Sequence, residues 1–179
     1  MKTFFILSLP RSRTAWLANF LSYENSFCFH EGLLQTASPY HLLNLFESTG
    51  KEIVGNSDCG NIFFVDEIKE IYPEAVFIHI KRNKQDVLNS LEYMEGFDDF
   101  NTVHMASTLL KTIDVPTFDY DSLDEQACRE IWDLCIGTPF DRQRWEMLDG
   151  IDMSIIEEKK MKQIQFFERN VSQLRKEFH

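Results

Sequence analysis

Short apolar runs bounded by turn residues alternate, as far as residue 118, with stretches whose apolar positions recur at helical spacing. The runs at 3–9 (TFFILSL), 26–29 (SFCF), 52–55 (EIVG), 75–80 (AVFIHI) and 115–118 (VPTF) read as strands. They are nearly continuous in apolar residues, as expected when both faces of a parallel sheet are covered. Helical periodicity predicts helices at about 14–23, 40–48, 61–71, 84–95, 100–113 and 122–136. Five β/α repeats in this order predict an α/β fold: a three-layer α/β/α arrangement around a central, mainly parallel, five-stranded sheet. No repeat of fixed period and no linker interrupts the pattern, so the expectation is one domain over 1–179 with its core at 3–149.

The C-terminal pattern differs. Ser154, Ile155, Ile156 and Glu157 fit a capping box. Beyond it Ile164, Phe167, Val171, Leu174 and Phe178 recur at spacings of three and four, which predicts a long amphipathic helix over 154–178. Its apolar stripe either packs on the domain itself or forms the seam of a homodimer, although barely two heptads is short for a coiled coil. Lys159, Lys160 and Lys162 then keep the other face in water.

Composition fits this picture: 44% hydrophobic and 26% charged residues, with only seven Gly and five Pro, describe a globular chain. The net charge of −11 argues against nucleic acid as a partner, because affinity for a polyphosphate backbone needs clustered Lys and Arg. A small anion held by a few local cations is not excluded. Eight cations precede residue 92, whereas residues 92–158 hold 17 acids and four cations, an acidity that works against acidic acceptors. Cys28, Cys59, Cys128 and Cys135 form no CxxC pair and no zinc spacing, and His41, His79, His104 and His179 are scattered. Four free thiols and no metal are expected. The opening MKTFFILSL imitates a signal peptide, but its apolar run is short and stops at Pro-Arg-Ser-Arg. No stretch approaches the ~20 apolar residues of a membrane span. A reducing cytoplasm is therefore the expected location.

Candidate chemistry begins where the first strand ends. It runs directly into Pro10-Arg11-Ser12-Arg13-Thr14-Ala15-Trp16-Leu17, a tight polar loop entering a helix. Backbone N–H groups and the positive end of a helix dipole then point at one spot suited to an anion, with guanidinium and hydroxyl donors beside it. Neither GxxxxGK[ST] nor GxGxxG is present, which disfavours an ordinary nucleoside-triphosphate loop and a dinucleotide fold. The fourth strand likewise runs into Lys81-Arg82-Asn83-Lys84-Gln85-Asp86-Val87, with Ser90 eight residues after Arg82. A guanidinium at a strand's carboxyl end and a hydroxyl two turns into the next helix suit one phosphate.

Together these motifs resemble the sulfotransferases that use 3′-phosphoadenosine-5′-phosphosulfate (PAPS). PRSRTAWL is similar to their 5′-phosphosulfate loop, and Arg82 with Ser90 to their 3′-phosphate motif. Asn56-Ser57-Asp58-Cys59-Gly60, Tyr120-Asp121-Ser122-Leu123 and the stretch 134–145 (LCIGTPFDRQRW) extend the likeness, with gaps, over roughly 3–149. The resemblance implies a P-loop-like nucleotide-hydrolase fold and PAPS as co-substrate, with no metal. It implies that Arg11, Ser12, Arg13, Thr14, Ala15 and Trp16 hold the 5′ end of the donor. Arg82 and Ser90 would take its 3′-phosphate, with Trp16 and Tyr120 at the adenine. Two departures stand out: Arg13 replaces the family's Gly, and the family's C-terminal Arg-Lys-Gly is missing.

The implied reaction moves a sulfuryl group to a hydroxyl or amine of a small-molecule or carbohydrate acceptor by in-line displacement. Arg11 would neutralise the leaving oxygen by charge and hydrogen bonds, since a guanidinium does not readily give up a proton. Three groups at strand ends compete as the base: Glu31 first, Asp58 second and His30 third. The segment 92–113, rich in aromatic and Met residues, offers a lid or acceptor wall, or packs as an ordinary helix pair. The alternative is a non-catalytic module of the same fold that recognises 3′-phosphoadenosine-5′-phosphate or a related phosphorylated ligand.

Overall fold

The computed structural model describes residues 1–36, 38–92 and 100–151. The predicted helix at 154–178, with its dimer seam, and residues 93–99 of the predicted lid lie outside the described residues. The chain forms two compact units, Met1–Phe140 and Asp141–His179.

All five predicted strands form in the first unit. β1 (Lys2–Ser8), β2 (Ser26–His30), β3 (Ile53–Ser57), β4 (Val76–Lys81) and β5 (Thr117–Asp119) make one parallel sheet in the order β2-β3-β1-β4-β5. The helices are α1 (Thr14–Phe20), α2 (Gly32–Thr36), α3 (Pro39–Ser48), α4 (Val65–Ile71), α5 (Lys84–Glu92), α6 (Phe100–Leu109) and α7 (Glu125–Cys135). A 3₁₀ turn at Cys59–Phe64 leads into α4, and another at Tyr120–Ser122 follows β5.

Register shows why the apolar runs are continuous. Phe5 pairs with Asn56 and Phe77, and Asn56 with Phe29, so these side chains share one face of the sheet. There Phe5 meets Phe46 of α3 at 5.9 Å and Tyr72, just after α4, at 5.5 Å between ring centroids. The opposite face carries Phe4, Ile6 and Ser8 of β1 and packs against α1, where Phe20 meets Trp132 of α7 at 5.3 Å. Phe4 lies flat across β3: a Cβ placed on Gly55 would sit 2.1 Å from its ring, so only glycine fits. The sheet is covered on both faces, as the parallel topology requires.

Two helices escaped the periodicity argument. α2 is five residues long and has no amphipathic stripe of its own. It is anchored from a distance, by Gly32 N–H donating to Asn56 Oδ1 at 2.9 Å and Leu33 N–H to Asp58 Oδ2 at 3.0 Å. The second unit contains α8 (Arg142–Asp149), whose signal was a cap: the Asp141 carboxylate accepts from Arg144 N–H at 2.9 Å. Among the described residues no helix is long and apolar enough to cross a membrane.

Candidate functional site

The chain leaves β1 toward α1 on one face, whereas the connections after β3 and β4 leave toward the other. Crevices outside the carboxyl ends of the strands therefore open beside β1, the place where open α/β sheets bind ligands. The loop of residues 10–13 stands there under backbone strain. Arg11 (φ 62°) and Arg13 (φ 60°) both adopt the left-handed conformation that glycine tolerates best. Arg13 is thus in the conformation the glycine of the resembling motif would supply, at a cost of about 1–2 kcal/mol for a non-glycine residue. It gives α1 no side-chain cap, and the first turn of α1 carries no acid. The Ser12 side chain is buried and donates to Pro10 O at 3.4 Å. At the base of the loop the buried Ser8 hydroxyl has no hydrogen-bond partner among the described residues.

On the β4 side the loop after β1 and the start of α5 meet. Arg11 Nε donates to Ser90 Oγ at 3.3 Å, and the Arg82 guanidinium donates to the Arg11 carbonyl. Tyr120, entering from the end of β5, lies near two guanidinium groups: Arg82 at 4.2 Å and Arg13 at 5.6 Å from its ring centroid. Arg11, Arg13, Arg82, Ser90 and Tyr120, 109 positions apart at their extremes, form one cationic corner. Trp16 borders this corner from the core side. It is 2% exposed and stacks on Phe20 at 5.0 Å, with Arg13 5.8 Å from its ring. Ala15 lies in the first turn of α1 and is half-buried.

On the β2 and β3 side stand the candidate bases. Thr14 Oγ1 is 3.2 Å from His30 Nε2, and Ser57 Oγ donates to the Thr14 carbonyl at 2.9 Å. His30 Nε2 lies 3.8 Å from Glu31 Oε1, with about half of the Glu31 side chain exposed. Glu31 too is left-handed (φ 56°), a third strained position at a strand end. Asp58 is 3% exposed, and its carboxylate accepts from Gly60 N–H at 2.8 Å and Leu33 N–H at 3.0 Å. This geometry makes it the joint cap of α2 and the following 3₁₀ turn. Burial first, then the Asp58 and Glu31 carboxylates, push the Cys59 thiol up to about 11, which marks this side as acidic and the thiol as unreactive. None of the four cysteines is in a disulfide. No cluster of three His, Cys, Asp or Glu side chains suited to a metal is present among the described residues.

The loop after β1 and the start of α1 are therefore tied on one side to guanidinium, hydroxyl and phenol groups, and on the other to the His30 imidazole and the Ser57 hydroxyl. Sequence reasoning missed the Ser57–Thr14 and His30–Thr14 contacts, whose partners lie 43 and 16 residues apart. Only the strand order brings them together. No protein-family model matches the chain, and no curated protein matches it.

Proposed function

We propose that the protein is a PAPS-dependent sulfotransferase with a P-loop-like nucleotide-binding fold. The observation that carries the reading is the convergence of both motif residues, with Arg11 bonded to Ser90 and Arg82 to the Arg11 carbonyl across the β1 and β4 strand ends. A donor with phosphates at both ends of its ribose needs two cationic clamps side by side, and charge-assisted contacts there are the strong ones. The unpartnered Ser8 hydroxyl and the strained loop fit a site whose ligand supplies the missing partners.

In the reaction an acceptor oxygen or nitrogen attacks sulfur in line. The bond between sulfur and the bridging oxygen breaks, its electron pair stays on the departing 5′-phosphate, and the acceptor proton passes to a base. Arg11 neutralises the bridging oxygen, with Arg13 adding charge. Glu31 and His30 are the base candidates the geometry favours, since both carboxylate oxygens of Asp58 are engaged by backbone donors. Four cysteines outside any disulfide suit a reducing cytoplasm.

Thermal-shift titration tests the reading. A ligand that binds the native state raises the melting temperature, by an amount equivalent to about 2.7 kcal/mol at 100 times its Kd. Stabilisation by 3′-phosphoadenosine-5′-phosphate and not by ATP or GTP with Mg²⁺ is expected, and the reverse would overturn the proposal. Donor binding without sulfate transfer to any acceptor is the signature of a binding module.

A further inference from the structure

A cavity of about 430 Å³ opens on the α6 side of β4, next to the loop site but on the opposite face of the sheet from α1. Leu9 and Leu110 supply its apolar surface, and Lys81, Arg82, Lys84 and Lys111 its charge. None of its lining residues is acidic. Four cations around one small cavity concentrate positive potential in a chain of net charge −11.

The position follows from the register. His79 and Lys81 alternate along β4 toward the face that α6 covers, while Lys84 opens α5 and Lys111 follows α6. Lys84 Nζ donates to His104 Nδ1 at 3.2 Å, which fixes one wall. Burial first, then the Lys81 charge, lower the affinity of His79 for a proton, so at neutral pH it contributes hydrogen bonding rather than charge. Asn83 and Ser107 add neutral polar groups.

We infer that this cavity binds a small organic anion, a phosphate, sulfonate or carboxylate on an apolar body, separately from the anion site of the β1 loop. The apolar walls take the body and the lysines take the charge. Arg82 is common to both sites, so the two ligands would lie side by side. Lys111 belongs to the acidic stretch 92–158, whose overall charge works against acidic ligands; its placement here reverses that expectation locally. The inference does not depend on the donor reading.

The test is a titration of the full chain with 2-naphthyl phosphate and with neutral 2-naphthol, before and after saturation with 3′-phosphoadenosine-5′-phosphate. Lys81 and Lys111 are exposed and serve no fold contact described above, so the double variant Lys81→Gln/Lys111→Gln keeps the fold. Expected are about tenfold tighter binding of the phosphate than of naphthol, a loss of about tenfold in the double variant, and persistence of binding after saturation. Equal affinity for naphthol, or no effect of the double substitution, would overturn the inference. So would complete displacement by the bisphosphate, which would make the two sites one. If the bisphosphate does not bind at all, the donor reading fails, while naphthyl phosphate binding that depends on Lys81 and Lys111 still supports the cavity.

Discussion

Replacing Arg13 separates backbone strain from side-chain contact at the loop. The residue sits at φ 60° and ψ 24° and holds its guanidinium near two rings, Trp16 at 5.8 Å and Tyr120 at 5.6 Å. The left-handed conformation costs a non-glycine residue about 1–2 kcal/mol. Glycine removes that cost but loses about 0.5–1 kcal/mol to the greater freedom of its unfolded chain. Glycine should therefore exceed alanine here by roughly 0.5–1 kcal/mol. Arginine's ring contacts, at a half-buried position, are worth about 0.5–1 kcal/mol, which alanine lacks. The expected order is Arg13→Gly close to wild type and Arg13→Ala about 1 kcal/mol below both, or roughly 2–4 °C in Tm for a chain of this size. Urea or thermal unfolding followed by circular dichroism measures it. Alanine as stable as glycine would refute the claim that this position carries left-handed strain.

Other substitutions probe the remaining parts. Asp58→Ala leaves two backbone donors without their acceptor and is expected to destabilise by about 1–3 kcal/mol, read as a lower Tm. In Glu31→Gln, donor affinity should persist while sulfate transfer is lost; unchanged transfer would remove Glu31 as the base and leave His30. Gly55→Ala drives a methyl group into the Phe4 ring and should abolish soluble expression or lower stability by about 3 kcal/mol or more. His79 makes stability pH-dependent. Its folded-state pKa lies below the ordinary 6.5, so the unfolded chain binds more protons and stability falls as pH drops from 6.5 toward the folded value. His79→Gln should flatten that slope in unfolding measured from pH 8 to pH 5; an unchanged slope would contradict it.

The strands and most helices were legible because each is a local pattern. TFFILSL and AVFIHI are too continuously apolar for a half-exposed strand, and both became central strands of the sheet. What stayed hidden was set by distant residues. α2 exists because Asn56 and Asp58, about 25 positions away, cap its first turn; nothing within GLLQT announces it. The burial of Trp16 and Asp58, and the bond from Leu33 N–H to the Asp58 carboxylate, likewise depend on distant parts of the chain that a motif does not report. Arg13 is the opposite case, since an arginine where the resembling motif has glycine proved to hold glycine's conformation. The cavity beside β4 was illegible because Leu9, Lys81 and Lys111 meet only after the chain has crossed the sheet.

The central claim is that Arg82 and Ser90, beside the Arg11 loop, read a phosphate on the 3′ side of an adenine nucleotide. Calorimetric titration with 3′-phosphoadenosine-5′-phosphate and with 5′-AMP, which lacks that phosphate, measures this directly in wild type, Ser90→Ala and Arg82→Ala. A charge-assisted contact of about 1.5–3 kcal/mol predicts a preference for the bisphosphate of roughly tenfold to a hundredfold in wild type. That preference should shrink in Ser90→Ala and vanish in Arg82→Ala. Equal affinity of the wild-type protein for the two nucleotides would contradict it.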